Sequence, residues 1–510
     1  MLRILIVALA IGSWPLSLSI QGDRTHLDQT FGTNGKVTTG FSRLRDVATS
    51  IAIQTDGKIL VAGIADTGSA TASDFAVARY NINGTLDPAF GQRGKVLIDF
   101  MQNEDRCYAL GIQNDGKIIT AGSVVIGGYF DFGVARHNTD GSVDASFGSN
   151  GKARIDFGGP VEEAYALALQ PDGKIIIAGT SQRDFALSRL NADGTLDGTF
   201  GSGGVIRTNF DGSSEDIATS ITIQKDGKII VAGGSIGLYP SLGLVRYNTD
   251  GSPDLTFGVN GKVSTNLNNR NLAAKAIALQ PDGKLLVTGA VSGISSAWDF
   301  FVARYDATGN LDRDFGDSGF VIADLGGHDE EGKAIALQHN GKIFIAGMTG
   351  QSNAVTDFCV MRYNSDGSLD PSFAAGGQMV TDFFGMADRI YAMAVQPDGY
   401  IVATGHADKN ERDAEFALIR FQGDLPTPRI TGVSVNGKSL TIYGEHFDIG
   451  ARIIINGNKQ RTRNDAQNPY GVLIGKKAAK KIDSGQTVIL QVQNSSNIIS
   501  PEFIFTRPIE

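Results

Sequence analysis

Residues 164–179 read AYALALQPDGKIIIAG, and this stretch decides the fold. Small and large apolar residues alternate up to Gln170, and the turn Pro171-Asp172-Gly173 then leads into a second apolar run. The Asp-Gly pair supplies the positive backbone φ that a two-residue hairpin turn requires. The second run is apolar on both faces, as in strands that are covered on both sides. The stretch therefore predicts a β-hairpin buried between other sheets.

The same hairpin recurs along the chain. Its Asp-Gly-Lys turn, or a close variant, begins at Asp56, Asp115, Asp172, Asp226, Asp282, Asn340 and Asp398, with spacings of 54–59 residues that average 57. A fixed period near this length is typical of repeat folds. Each copy has two further short strands, at 184–191 and 204–210 in the best-formed one, and no segment has a helical period. The sequence predicts an all-β, seven-bladed β-propeller of four-stranded blades over residues 23–423.

The order of strands predicts how the ring closes. Six fourth strands follow a third strand, and the seventh, at residues 27–41, precedes the first hairpin. The repeat stops after Phe421. We expect the N-terminal strand to pair with the third strand of the last blade, near 414–421, because closure removes the exposed sheet edges.

Composition excludes several classes of protein. The chain has 510 residues, 41% hydrophobic and 19% charged, which is too apolar for a disordered protein and too weakly charged for a coiled coil. A net charge of -9 argues against a nucleic-acid partner. The chain has 65 glycines, and about half of them fall at five repeat positions, mostly turns. Two cysteines do not make a disulfide framework, and we expect both in the core.

The first residues predict export. Arg3 precedes an apolar run over residues 4–12, and small residues follow near a cleavage site, so residues 1–21 read as a signal peptide. We expect a mature chain without a membrane span, secreted or held at the cell surface, and monomeric.

The repeat resembles a known family. The block AxALQPDGKIIxAG, followed by FAxxRYNxDGxLDxxFG, is similar to the delta-60 repeat, found in bacterial exported proteins interpreted as β-propellers and mostly without an assigned activity. The Pro-Asp-Gly-Lys hairpin also resembles WD-repeat blades, although the Trp-Asp dipeptide of that family is absent. Residues 424–428 form a linker, and the alternating strands and glycine turns of 429–510 resemble an IPT/TIG immunoglobulin-like β-sandwich. Its cluster of four lysines between residues 476 and 481 is interpreted as a solvated loop, with an acidic polymer as the alternative partner.

Two residue types recur once per blade and are predicted to be structural. A guanidinium held against a carboxylate and turn carbonyls satisfies several buried acceptors, whereas catalysis needs one asymmetric constellation. The arginines are Arg79, Arg136, Arg189, Arg246, Arg304, Arg362 and Arg420, and the aspartates are Asp28, Asp87, Asp144, Asp197, Asp254, Asp312 and Asp370.

Variable loops are the expected place for a ligand. By analogy with WD-repeat propellers, the loops before the first strands and those between the second and third strands share one face. The candidate binding residues are the acidic Glu104, Glu163, Asp216 and Glu330 and the aromatic Tyr129, Phe130, Tyr239 and Trp298. The acidic set suits a cation or a basic partner, or forms a solvated rim. The aromatic set suits a sugar or peptide, or packs on the neighbouring blade.

Enzyme motifs are absent from the sequence. The six histidines lack metal-ligand spacing, and the Asn-x-Asp-Gly turns have glycine at position four and no twelfth-position glutamate, unlike an EF-type calcium loop. We predict no catalytic residue, metal or cofactor. The leading hypothesis is an exported, non-enzymatic propeller that binds an unknown protein or glycan. The alternatives are an extracellular hydrolase or lyase acting on polysaccharide and a quinone-type oxidoreductase, for which no cofactor ligand is recognisable.

Overall fold

The computed structural model describes residues 26–509, apart from 43, 69–72, 102, 211–214, 237–239, 268–269, 293–296, 327 and 353–354. The predicted signal peptide and Tyr239 lie outside the described residues. The described chain is all-β with repeated four-stranded sheets, as the sequence predicts, and its one short helix is the 3-10 turn Ala478–Lys481. No helix within those ranges is long and apolar enough to cross a membrane.

Seven four-stranded sheets occupy the repeat region. The first strand of the chain is β1 (Lys36–Thr39). Sheet 1 holds β2 (Asp46–Ile53), β3 (Ile59–Asp66), β4 (Ser73–Tyr80) and β5 (Lys95–Ile98); sheet 2 holds β6 (Asp105–Ile112), β7 (Ile118–Ile126), β8 (Tyr129–His137) and β9 (Lys152–Ile155). Sheet 3 holds β10 (Glu162–Leu169), β11 (Ile175–Ser181), β12 (Asp184–Leu190) and β13 (Val205–Thr208); sheet 4 holds β14 (Glu215–Ile223), β15 (Ile229–Ile236), β16 (Ser241–Tyr247) and β17 (Lys262–Thr265).

The remaining repeats follow the same plan. Sheet 5 holds β18 (Leu272–Leu279), β19 (Leu285–Ser292), β20 (Trp298–Tyr305) and β21 (Phe320–Ala323); sheet 6 holds β22 (Asp329–Leu337), β23 (Ile343–Ser352), β24 (Val355–Tyr363) and β25 (Gln378–Thr381). Sheet 7 holds β26 (Asp388–Val395), β27 (Tyr400–Asn410) and β28 (Asp413–Gln422), and β1 is its fourth strand. β1 pairs antiparallel with β28, with Lys36 opposite Ile419 and Thr39 opposite Phe416.

The core lies between the sheets. Each pair of neighbouring sheets shares one apolar cluster, and the cluster between sheets 7 and 1 joins Phe416 of β28 to Ile59 of β3 and to Phe31. The first strands of adjacent sheets also contact one another, from β2 with β6 through to β26 with β2. Each repeat therefore buries its apolar faces only with the help of both neighbours. The free cysteines, Cys107 and Cys359, are buried in these clusters, as predicted.

A separate pair of sheets forms the C-terminal segment. One sheet contains β29 (Arg429–Asn436), β30 (Ser439–Glu445), β34 (Val472–Gly475) and β33 (Arg463–Asn464); the other contains β32 (Asn458–Lys459), β31 (Arg452–Ile455), β35 (Thr487–Gln493) and β36 (Phe503–Thr506). Side chains from both sheets, such as Ile442 and Leu490, share one apolar cluster, so the two sheets pack on each other.

Candidate functional site

Every first strand of the seven sheets is interrupted at the same place. In each, the register with the second strand shifts at one residue. A β-bulge bends its strand and re-aims the side chain of the extra residue. We call these residues the channel ring: Thr49, Tyr108, Tyr165, Thr219, Lys275, Lys333 and Tyr391. All seven line one cavity of about 670 Å³.

A second cavity adjoins the channel ring. It has a volume of about 250 Å³ and is lined by six of the seven ring residues together with apolar side chains two positions further along the strands, such as Leu110, Ile221 and Met393. The ring residues other than Thr49 therefore border both cavities.

Two lysines and a glutamate form the charged side of the ring. Glu331 Oε1 lies 2.7 Å from Lys333 Nζ and 3.4 Å from Lys275 Nζ. Burial alone would raise the Glu331 pKa, but the charges of the two lysines outweigh it and hold that pKa below its usual value. Burial lowers the pKa of Lys275, and the charge of Lys333 lowers it further. Two cations sharing one anion leave the site able to accept a second negative group.

The tyrosines form a neutral, hydrogen-bonding side. The rings of Tyr108 and Tyr165 lie 5.1 Å apart, and the Tyr165 hydroxyl donates to Glu163. Arg106 lies 3.7 Å from that glutamate and donates from Nε to Glu104 at 2.7 Å. Burial raises the pKa of both tyrosines, and Glu163 raises that of Tyr165 further. Both phenols therefore stay protonated at neutral pH and act as hydrogen-bonding groups.

An apolar wall faces these polar groups. Trp298, Pro240, Ile64 and Leu272 line the same 670 Å³ cavity. Trp298 is half-buried, and its backbone N–H donates to Asp329 at 3.1 Å. The structure thus places the predicted Trp298 beside the channel ring, where an indole provides a stacking surface.

The other predicted binding residues lie in different surroundings. Glu104 and Glu163 belong to the Arg106 network next to the ring. Tyr129 is 56% exposed. The Arg106 guanidinium lies over the Phe130 ring, 5.4 Å from the ring centroid. Neither aromatic side chain is among the described residues that line the cavity.

Asp216 and Glu330, also predicted as ligand-binding residues, lie away from the cavity of the channel ring. Both are fully buried. Asp216 accepts the backbone N–H of Phe210 at 2.9 Å, and Glu330 accepts the hydroxyl of Thr349 at 3.3 Å. These carboxylates accept hydrogen bonds from groups near the start of a first strand, and neither is among the described residues that line the cavity of the channel ring. The sequence does not distinguish them from Glu163, which is adjacent to an equivalent buried position.

The repeated arginines and aspartates meet at the other end of the strands. In every repeat an arginine Nε lies 2.7–2.8 Å from an aspartate Oδ2. In six repeats the hairpin lysine also lies 2.7–2.9 Å from the same oxygen. We call these the repeat pairs: Arg79–Asp87, Arg136–Asp144, Arg189–Asp197, Arg246–Asp254, Arg304–Asp312, Arg362–Asp370 and Arg420–Asp28.

The repeat pairs also join neighbouring sheets. Arg246 Nη1, for example, donates to the carbonyl of Ala307 in the next repeat at 2.5 Å, and its guanidinium lies 4.6 Å from the centroid of Phe257. Burial alone would raise the Asp254 pKa, but the hydrogen bonds from Lys228 and Thr256 and the charge of Arg246 hold it well below its usual value. The charged groups of Arg246 and Asp254 are therefore bonded to other groups of the protein, which fits a structural role.

A larger cavity, about 1130 Å³, lies between this end and the C-terminal segment. Its lining includes Asp28 and Arg420, together with Asp398 and Asp448. Asp28 and Arg420 already form a repeat pair. We take the channel ring as the candidate site because its cavity brings together side chains from all seven sheets.

Oxygen ligands for a metal lie elsewhere. Four groups of three carboxylates occur among the described residues, at junctions between sheets, and none includes a channel-ring residue. The Asn-x-Asp-Gly turns are Asx turns, as in Asp140, whose Oδ1 accepts from both the backbone and the hydroxyl of Ser142.

The channel ring was not predicted from the sequence, although the sequence contains a signal for it. The ring position is threonine, tyrosine or lysine, whereas the residues immediately before and after it in each strand are small or apolar. Variation in chemistry at one fixed repeat position is the signal. The bulged residue is neither glycine nor proline, so the strand reads as a regular alternating pattern and the position of the bulge is not visible in the sequence.

Comparison with known proteins supports a β-propeller repeat family. Residues 54–90, 113–147, 170–200, 224–257, 280–315 and 338–373 match the family model described as a domain of unknown function (DUF5122) beta-propeller. No curated protein matches the sequence.

Solved structures that are similar to this chain have low sequence identity with it. A fungal alcohol oxidase of the AA5 family in complex with copper has 13% identity and a TM-score of 0.44, covering 93% of this chain and 98% of its own. A protein of unknown function from Dyadobacter fermentans has 11% identity and a TM-score of 0.44, covering 76% and 98%. A PL25 ulvan lyase has 10% identity and a TM-score of 0.45, covering 76% and 97%. These likenesses carry no argument about function.

Proposed function

We propose that this protein binds an acidic saccharide at the channel ring and has no catalytic role. The observation that carries the proposal is the single cavity in which tyrosines, lysines and Trp298 from different sheets converge. Concave sites with an apolar wall and a few convergent polar groups are typical of ligand binding.

The chemistry of the lining selects the class of ligand. Trp298 offers a flat apolar surface to the face of a sugar ring, and the tyrosine hydroxyls offer partners to sugar hydroxyls. Lys275 and Lys333 share only Glu331, so a carboxylate or sulfate on the sugar completes their pairing. A neutral ligand would leave that charge unmatched.

The proposal includes a scaffold of seven blades. The circuit of contacts between first strands and the pairing of β1 with β28 support one closed, seven-bladed propeller. The two packed sheets of residues 429–510 support an immunoglobulin-like sandwich of the IPT/TIG kind. The apolar run after Arg3 supports export, which would place the channel ring among extracellular glycans.

A polysaccharide lyase is the second candidate, and Lys275 is the observation that favours it. A partly buried lysine with a lowered pKa suits a general base. It would take a proton from the carbon beside a sugar carboxylate while a double bond forms and the C–O bond to the leaving sugar breaks, and a ring tyrosine hydroxyl would give a proton to the departing oxygen. Hydrolysis by paired carboxylates has less support, because Glu331 and Glu163 are engaged by lysine, tyrosine and arginine.

A glycan array that includes uronic-acid and sulfated polysaccharides tests the proposal. We expect the wild-type chain to bind members of the acidic set, Trp298→Ala to bind roughly tenfold more weakly, and Lys275→Met with Lys333→Met to lose the preference for acidic sugars. Tyr443→Ala, which removes a 44% exposed aromatic residue in the C-terminal segment, is the matched control. Wild-type protein that binds no glycan, or binds equally well without Trp298, contradicts the proposal. Ultraviolet absorbance from an unsaturated product would favour the lyase.

A further inference from the structure

Three carboxylates meet at four equivalent junctions between sheets. Each group takes one residue from the third strand, one that follows the fourth strand, and one from the first strand of the next sheet, with ligand oxygens within 4.8 Å of one another. The groups are Asp74–Asp99–Asp105, Asp131–Asp156–Glu162, Asp299–Asp324–Glu330 and Asp357–Asp382–Asp388. These junctions are separate from the channel ring, so the inference does not depend on the proposed function.

Two of the four groups already hold a cation supplied by the chain. Arg154 lies 2.5 Å from Asp131 and 3.0 Å from Asp156. Arg270 lies 2.7 Å from Asp299. The fold thus places a positive charge against these carboxylates wherever the sequence provides an arginine.

In each of the other two groups, the aspartate of the first strand has a buried oxygen without a hydrogen-bond partner among the described residues. Asp105 and Asp388 are fully buried, and in each the Oδ2 accepts a backbone N–H at 2.7 Å, from Phe100 and Phe383. Within the described part of the chain, their Oδ1 atoms have no hydrogen-bond partner. A buried carboxylate oxygen without a donor is costly, and here it belongs to a carboxylate that faces two others.

The lysine next to each group donates to a backbone carbonyl and lies near an aromatic ring. Lys152 Nζ donates to the backbone carbonyl of Asp99 and lies 5.2 Å from the Phe100 ring centroid. Lys36 donates to the carbonyl of Asp382 and lies 5.0 Å from the ring of Phe383. Lysine charge lowers the pKa of Asp105 and Asp388, yet burial and the adjacent aspartates still raise these pKa values to about 7 and about 8.

We propose that the Asp74–Asp99–Asp105 and Asp357–Asp382–Asp388 groups each bind a calcium ion. Ca²⁺ takes 6–8 oxygen ligands at about 2.3–2.6 Å, so oxygens on its opposite sides lie close to the 4.8 Å limit of these groups. Three carboxylates leave room for water to complete the shell, which gives a weak site of the extracellular kind, with a Kd on the order of 10⁻⁴–10⁻³ M. Each ion would fasten two neighbouring sheets together.

One junction of the chain naturally lacks the middle aspartate. At the equivalent junction between sheets 3 and 4, Asn209 stands in place of the middle aspartate and donates its amide to Asp184 at 2.7 Å. An asparagine at this position is therefore compatible with the fold. Asp99→Asn with Asp382→Asn copies that arrangement into both proposed sites.

Isothermal titration of the full chain with CaCl₂, after removal of metal with EDTA, tests the assignment. We expect two sites per chain, a melting temperature a few degrees higher in 10 mM CaCl₂, and a smaller rise in MgCl₂ at equal ionic strength. The double variant should fold, as judged by circular dichroism, and lose both the binding heat and the calcium shift. Asp156→Asn, in the group held by Arg154, should leave both unchanged.

The assignment is overturned if the wild-type chain shows neither binding heat nor a rise in melting temperature with calcium. It is also overturned if the double variant keeps the binding heat and the rise. An equal rise with magnesium would reflect screening by salt and would likewise contradict a calcium site. If the double variant does not fold, Arg270→Ala supplies an independent test. It vacates the Asp299–Asp324–Glu330 group, whose fully buried Glu330 also has an orphaned oxygen, and should raise the number of sites from two to three.

Discussion

The channel ring and the repeat pairs are both sets of seven positions, one per sheet, yet they differ in one respect. Every repeat pair uses the same two residue types in the same geometry, whereas the channel ring has two threonines, three tyrosines and two lysines. A contact that every blade requires must be the same in every blade. A position that is free to differ can be adapted to a ligand, so within this fold uniformity marks the scaffold and diversity marks the site.

The largest effect is expected where the scaffold depends on both ends of the chain. Deleting residues 23–41 removes β1, the Asp28 partner of Arg420, and Phe31 from the cluster between sheets 7 and 1. Because every sheet packs on two neighbours, we expect the melting temperature of the whole repeat region to fall sharply. Thermal unfolding of the two chains, followed by circular dichroism, measures this. A truncated protein that melts like its parent would show that the ring does not need closure.

A single repeat pair should have a smaller but still large effect. Arg246→Ala removes a buried ion pair and a bond to the next repeat, and leaves Asp254 held by Lys228 and Thr256. We expect a loss of about 3 kcal/mol of unfolding free energy, measured by urea denaturation. Arg207→Ala, on the exposed face of β13, is the control and should change stability by less than about 0.5 kcal/mol. Equal losses of stability in the two variants would show that the repeat pairs do not stabilise the scaffold.

The same pairs predict the acid limit of the fold. The pKa of each pair aspartate is lowered in the folded protein, to about 2 for Asp370, by hydrogen bonds and charge that outweigh burial. A lowered folded-state pKa gives stability that is complete above the unfolded value of 3.8 and is lost as pH falls through the folded value. Melting temperatures should therefore decline between about pH 4 and pH 2, less steeply in Asp370→Asn than in the wild type. Parallel curves would contradict this origin of the acid sensitivity.

The sequence predicted the scaffold far better than the site. The Asp-Gly-Lys hairpins, the missing seventh fourth strand and the recurrent arginines each have a local signal repeated many times, which is why all-β architecture and the partner of β1 could be predicted. Trp298 was identified because it is a large aromatic residue in a variable loop. The channel ring depends on bulges, which follow from pairing with the second strand and leave no local mark. The burial of Asp216 could not be predicted, because burial of a carboxylate at a strand start depends on donors in the preceding loop.

The smallest effect on stability, and the sharpest contrast with the repeat pairs, is expected inside the channel ring. Lys275 is a partly buried cation whose pKa is lowered by burial and by the charge of Lys333, so its charge opposes folding. Lys275→Met keeps the aliphatic volume and removes that charge, while Glu331 retains Lys333 at 2.7 Å. We expect urea denaturation to give an unfolding free energy within about 1 kcal/mol of the wild type, although binding of an acidic saccharide weakens at least severalfold. Tyr165→Phe, which removes a hydroxyl bonded to Glu163, should cost more, about 1 kcal/mol, and serves as the comparison within the ring. If Lys275→Met instead destabilised the chain as much as Arg246→Ala, the ring would be part of the scaffold and its diversity would have a structural cause.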